Sequence, residues 1–470
     1  MTGVSSRNLR DFESPEGEPL SRVRRSRTIS LLAVAGAVAL LGGILRISCA
    51  GRSCDEADGA ESEVPFCSLE AGLRRDIVTG FRDGRSPDLL AVTGPQVVRG
   101  GTAFEDAELE PLWPGSSADD AARVPLVFYG TGVAAGGSIP EGTTLDAVAA
   151  TLAHIAQVRR PHPEVRSGTT IDGVATGEEP RLILEIVWKG IGSRDLETTD
   201  NEWPFLQGLM SRGTGTLASD TGSQPLDPAA VLSTIGTGGL PNQHGITGTL
   251  VRNDEGRVVQ AWSSKAPISV IATFPDDLDE MLGQRPMIAV SGTSHADRGV
   301  IGGNWYTSGD EDEVVINEGA SVRTQTAAAV RLLGDGYGRD PTADVVAVVM
   351  EGDIDLLDRA LGRIVRRAEE VSNSSVTILV TGTGSATSTT GSAVAAAEVA
   401  ADIEDTVSAE GSVVEATTPG GVYLDQERLA EEAISEDVVL SAMRTMKIGM
   451  ARNLFADAFP AIAVSFERYC

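Results

Sequence analysis

A chain of 470 residues that is 41% hydrophobic but only 4% aromatic, with 53 glycines, can bury a sizeable core and suits a loop-rich α/β protein. That composition excludes a disordered chain, and 67 acidic against 38 basic side chains, a net charge of −29, oppose nucleic acid and anionic lipid as partners. The same field disfavours a highly charged phosphate substrate unless a local basic pocket or metal ions overcome it.

In chain order, the first feature is four arginines, Arg22, Arg24, Arg25 and Arg27, directly before an uncharged run of 18 residues, Thr28 to Leu45. A helix of that length just spans a hydrocarbon core of about 30 Å, and arginines on its N-terminal side favour a cytoplasmic N-terminus. A cleaved secretory signal has the same two parts. Against it, no small-x-small site closes the run, and Arg46 stands where a lipobox before Cys49 needs an apolar residue.

The expected plan is a cytoplasmic tail over 1–27, a single transmembrane helix over 28–45, a juxtamembrane tether over 46–62 and an extracytoplasmic domain over 63–470. Beyond the tail the chain carries 32 Lys and Arg against 63 Asp and Glu, which favours solubility outside the cell. Cys49, Cys54 and Cys67 follow the apolar run, and Cys470 is the last residue. Four cysteines allow three pairings. In an oxidising compartment the favoured set is Cys49 with Cys54 and Cys67 with Cys470, the second tying together the ends of the folded domain.

SPDLLAVTG (Ser86 to Gly94) and VPLVFYG (Val124 to Gly130) each read as a short apolar strand ended by a glycine turn. TTLDAVAATLAHIAQV (Thr143 to Val158) has threonines at its start and apolar residues at helical spacing, which predicts a capped amphipathic helix with His154 half-buried in it. RLILEIVWKG (Arg181 to Gly190) is the near-continuous apolar run expected of a central parallel strand, and DVVAVVMEGD (Asp344 to Asp353) and SVTILVTGTGS (Ser375 to Ser385) resemble it. Helical stretches lie between these runs, so the fold class is α/β, a doubly wound, mostly parallel sheet. In such sheets chemistry gathers beyond the C-terminal strand ends. TFPDDLDEM (Thr273 to Met281) reads as a solvated helix start, since acids suit that end of a helix.

The glycine-rich stretch TGGLPNQHGITGT (Thr237 to Thr249) resembles the conserved loop of the alkaline phosphatase superfamily, in its type I phosphodiesterase and nucleotide pyrophosphatase branch. PAAVLSTIGTG before it is similar to the helix that follows that family's nucleophile, and FLQGLMSRGTG (Phe205 to Gly215) to the stretch after its first strand. Segments similar to the family's C-terminal part, Ser86 through Val158, precede the segment similar to its first strand. The resemblance therefore implies a circular permutation, with the usual N-terminus near Pro180.

The resemblance also implies two metal ions, usually zinc, on carboxylates and histidines, and a Thr or Ser nucleophile. Here the residues depart from it. The first strand should end in Asp-Gly and ends in Lys189-Gly190, a cation where a carboxylate should hold one. The late strand should end in Ala-Asp-His-Gly and reads VTGTGS, where Thr381 and Thr383 cannot replace an imidazole. EGDIDLLDRALG offers Asp353, Asp355 and Asp358 without a histidine, Asp358 matching a carboxylate before the family's helix. Asp227 stands near the nucleophile's place, with Thr234, Thr237 and His244 as weak candidates whose ordinary roles are capping and loop hydrogen bonds. His162 and His295 are isolated.

The expected cleft residues are Lys189, Asp353, Asp355, Thr381 and Thr383, with no metal and no cofactor. The leading expectation is a membrane-anchored pseudo-hydrolase that binds a cell-envelope component or a protein partner, leaning away from catalysis. The alternatives are a phosphoric or sulfuric ester hydrolase with a rebuilt zinc or manganese site, and a structural protein of envelope assembly.

Overall fold

The computed structural model describes residues 65–93, 97–100, 113–114, 121–159, 163–199, 201–264, 266, 269–283, 285–303, 305–306, 312–385, 392–418, 420–448, 452–453, 455–464 and 470, all within the compact unit Glu63–Cys470. The run Thr28 to Leu45, the tether, Cys49, Cys54 and His162 lie outside the described residues. Among those residues, no helix is long and apolar enough to cross a membrane.

The strands of the two larger sheets are β1 (Leu89–Thr93), β2 (Arg123–Gly130), β3 (Leu182–Trp188), β4 (Thr214–Asp220), β5 (Ile288–Gly292), β6 (Glu313–Ile316), β7 (Asp344–Met350), β8 (Val376–Gly382), β9 (Val414–Thr418), β10 (Gly421–Leu424) and β11 (Phe455–Pro460). The helices of nine or more residues are α1 (Ala71–Gly80), α2 (Ala147–Ile155), α3 (Pro204–Arg212), α4 (Pro228–Thr237), α5 (Phe274–Leu282), α6 (Val322–Leu332), α7 (Ile354–Val371), α8 (Ala396–Val407) and α9 (Glu436–Thr445).

Seven strands make the main sheet, in the order β6-β5-β7-β3-β8-β2-β4. From β6 to β8 they run parallel, and β2 is antiparallel to both its neighbours, so the sheet is mixed. In β3 and β7 every residue is buried, which is why both sequences are apolar almost throughout instead of alternating. Successive side chains of β3 point to opposite faces. Leu182, Leu184, Ile186 and Trp188 join a core with α3, α6 and α7, while Ile183 and Val187 join one with α2, α4 and α5. The result is a helix-sheet-helix sandwich. Along β2 the register against β4 shifts between Val124 and Leu126, at Pro125, which has no N–H to give the ladder.

The strand read in SPDLLAVTG exists as β1, but it pairs in a separate antiparallel sheet of order β9-β10-β1-β11. Leu89 and Ala91 face α8 and α9, and Leu90 and Val92 face α1 and Phe459. Beside this sheet Cys67 is bonded to Cys470 across a separation of 403 residues, with 5.1 Å between their Cα atoms, as expected from the sequence.

Two local readings change. The helix expected from Thr143 begins at Ala147, because Thr143 Oγ1 donates to the Pro140 carbonyl (2.7 Å) and Thr144 Oγ1 to Asp146 Oδ1 (2.5 Å) instead of capping. His154 is exposed, not half-buried. The acids opening α5 are not solvated: Asp276, Asp277 and Asp279 are buried. Asp276 accepts from Thr273 N (2.8 Å) and Gly303 N (3.0 Å), and Asp277 from Arg166 (3.0 Å) and the Tyr306 hydroxyl (2.7 Å). Those partners make burial of the carboxylates tolerable.

Candidate functional site

The ends of β3, β5, β6 and β7 open onto a cleft of about 510 Å³, in the place where open α/β sheets receive ligands. Lys189, directly after β3, forms part of its lining and is only 6% exposed. A buried ammonium needs a counter-charge. It has one in Asp297, whose Oδ1 lies 3.3 Å from Nζ; Ser294 Oγ accepts from Nζ at the same distance.

Asp297 sits in the short helix His295–Val300 that follows β5 and is fully buried. Its carboxylate accepts from Thr293 N (2.6 Å), Ser294 N (3.0 Å) and Ser294 Oγ (3.1 Å). The turn after β5 thus holds the acid, and the acid holds the lysine.

Glu318, Glu351 and Asp353 bring three carboxylates to the same cleft. Burial pushes the Glu351 carboxyl up from its ordinary value, while the neighbouring Lys189 charge pulls it down. Gln325 of α6 fixes this wall: Oε1 accepts from Glu351 N (3.1 Å), and Nε2 donates to the carbonyls of Ala320 (2.7 Å) and Glu351 (3.2 Å). A cation entering beside β3 would meet the Lys189 ammonium. Among the described residues no three His, Cys, Asp or Glu side chains converge as metal ligands, so these residues do not fit the zinc or manganese site that the family resemblance implies.

Asp353 shares the cleft with Lys189, whereas the other expected cleft residues lie elsewhere. Asp355 pairs with Arg359 one turn along α7. Thr381 Oγ1 donates to the Pro125 carbonyl (2.7 Å), and Thr383 Oγ1 accepts from Gly190 N (2.9 Å), so both hydroxyls serve backbone. Asp358 accepts from the N–H groups of Phe205 and Leu206 (2.9 Å each), satisfying the first turn of α3 from the side of α7.

The candidates around the glycine-rich loop form a separate group, turned inward. Asp227 caps α4 by accepting from Ala229 N (2.9 Å) and also takes the Thr249 hydroxyl (2.9 Å); burial raises its carboxyl against the pull of those bonds. Thr237 Oγ1 donates to the Ser233 carbonyl (2.6 Å). His244 Nδ1 accepts from Ile246 N (3.1 Å), so the neutral ring carries its proton on Nε2, which lies 3.1 Å from Thr234 Oγ1. Burial, with Arg82 and Arg85 nearby, lowers His244 to about 3.

Two glycines explain why the loop is written this way. A side chain at Gly236 would meet the Val300 carbonyl at 2.4 Å, because α4 lies backbone to backbone on the helix that carries Asp297. Gly238 ends α4 in the left-handed conformation, with φ of 70°. Arg82 then donates to the carbonyls of Asn242 (2.8 Å) and Gln243 (3.1 Å), and Arg85 to that of Gly245 (3.1 Å).

No protein-family model matches this chain, and no curated protein matches it. Ten chains of solved structures do. They include the wild-type alkaline phosphatase PafA, with a TM-score of 0.35, and a mutant of it, with 0.37. Each is 12% identical and covers 57% of this chain and 76% of its own.

Two buried groups carried no sequence signal. Asp297 lies in a turn among ordinary polar residues, and only the fold brings it to Lys189. Glu185, inside an apolar run, shares the face of Ile183 and Val187; it is 1% exposed, and neither carboxyl oxygen has a hydrogen-bond partner among the described residues. Burial pushes its carboxyl up to about 8.

Proposed function

We propose that this chain is a membrane-anchored, extracytoplasmic binding protein: an alkaline-phosphatase-like domain, permuted in order, that has exchanged hydrolysis for recognition of an envelope component or a protein partner. The observation that carries this reading is the Lys189–Asp297 ion pair at the end of the central strand. An ammonium fixed there by a buried carboxylate repels the cation that metal-dependent phosphoryl chemistry requires at that point. The polar cleft around it remains large enough for a ligand. Anchoring through Thr28 to Leu45, with the acidic domain outside the cell, follows from the arginine cluster before that run.

The test uses the full chain in detergent, supplied with zinc or manganese and offered nitrophenyl phosphate, a nitrophenyl phosphodiester and nitrophenyl sulfate. The expected result is no turnover above the blank and no stoichiometric metal. Turnover abolished by a chelator would overturn the reading in favour of a hydrolase with a rebuilt site.

A further inference from the structure

Charge is unevenly placed along this chain. Helices α3, α6 and α7, which cover one face of the main sheet, carry seven arginines against four acids, of which Asp358 is buried. The segment 396–445, which brings α8 and α9 to the small sheet, carries twelve acids against Arg428 and Arg444 alone. A protein of net charge −29 thus has one basic helical layer, and an acidic one that packs on a different sheet.

The outer sides of α7 and α8 match residue by residue. On α7, Arg359, Arg363 and Arg366 are exposed at spacings of four and three, which sets them on one stripe of the helix. On α8, Glu398, Asp402 and Asp405 are exposed at the same spacings. Arg359 pairs with Asp355, one turn before it. Among the described residues Arg363 and Arg366 make no ion pair or side-chain hydrogen bond, and neither do Glu398, Asp402 and Asp405. Burial of the opposite sides, Leu361, Ile364 and Val365 on α7 and Val399 and Ile403 on α8, turns both stripes away from the cores. Ala397 and Ala401, exposed beside the acids, leave room for long arginine stems.

We infer that α7 of one copy of this chain docks on α8 of a second copy, with Arg363 and Arg366 facing Asp402 and Asp405, and Arg359 facing Glu398. Laid side by side in the same direction, the two helices bring all three pairs into register. Each copy carries both halves of the contact. The like net charge of the copies does not forbid it: at physiological ionic strength charges more than about 8 Å apart are largely screened, so the local match decides. The inference is independent of the reading of the strand-end cleft, since neither stripe lines that cleft.

The test is sedimentation velocity of the full chain in detergent over a range of protein concentration. The parent should form species larger than one chain at physiological salt, and molar salt should disperse them. Arg363→Glu with Arg366→Glu, and separately Asp402→Arg with Asp405→Arg, should each weaken association by about tenfold or more, because like charges then face each other. All four side chains are exposed, so both variants should fold, which a thermal melt checks. Mixing the two variants should restore association, since each supplies the charge that the other's reversed stripe needs. A parent that stays monomeric throughout overturns the inference, as does association that survives either reversal or that mixing fails to restore. A monomeric parent that retains polyglutamate through Arg363 and Arg366 would overturn it in favour of a foreign acidic partner.

Discussion

The glycine-rich loop and the central strand bury polar side chains in opposite ways. In the loop, Asp227, Thr234, Thr237 and His244 are all buried and all hydrogen-bonded. In the strand, Glu185 is buried with no hydrogen-bond partner for its carboxyl, and four residues further on Lys189 is buried with one specific counter-charge. A partnered polar group costs the fold little, whereas an orphan costs it stability. Those four groups are thus absorbed by the architecture around the loop, whereas the strand keeps an orphan carboxyl in its interior.

The sharpest way to break this contrast is pH, because its two ends titrate with opposite signs. Glu185 has a folded value raised to about 8, so the folded protein holds a proton that the unfolded chain releases near the ordinary value of 4.5. Stability from this group is fully present below pH 4.5 and is lost as pH rises towards about 8. Glu185→Gln should remove that loss, which is on the order of 5 kcal/mol, visible as a denaturant midpoint that no longer falls across this window.

His244 runs the other way. Its folded value is depressed to about 3 from 6.5, so its contribution is present above pH 6.5 and lost as pH falls towards 3. The difference in unfolding free energy between the parent and His244→Gln should therefore shrink on acidification, again by on the order of 5 kcal/mol. A difference curve that is flat with pH for either variant would show that the group titrates normally and the contrast fails.

A smaller effect is expected at the ion pair. Lys189→Met leaves Asp297 buried without its cation and should cost about 3 kcal/mol by denaturant unfolding. Adding Asp297→Asn to that variant should recover part of the loss, which is the signature of a paired charge. The smallest effect belongs to Thr383→Val, which deprives Gly190 N of its acceptor and should cost about 1 kcal/mol. No loss there would mean that Gly190 N finds another partner.

What the residues disclosed in advance follows from how local each signal is. The runs in β3, β7 and β8 announced themselves through burial on both faces, and the Cys67–Cys470 pairing through the absence of cysteine between them. The mixed character of the sheet was not legible, since VPLVFYG has the same composition whichever way it runs. Nor was the pairing of β1, whose apolar alternation does not say which strand completes it. At the site, Lys189 and Asp353 were readable as departures from a pattern, but Asp297 was not, because an Asp in a polar turn looks the same with or without a lysine against it. The burial of Asp276 and Asp277 was hidden for the same reason, since Gly303, which donates to the first, and Arg166 and Tyr306, which donate to the second, are distant in sequence.

The small sheet has a consequence for how the chain is made. Asp88, beside β1, accepts from Leu424 N across 336 residues, and β11 arrives later still. At a synthesis rate of about 5 to 20 residues per second, β1 waits roughly 20 to 70 s for its neighbours. During that interval its edges are bare, the condition in which strands recruit other chains. A nascent chain stalled before Phe455 would leave Leu89 to Thr93 with one edge unclosed, so a segment made much later protects this strand.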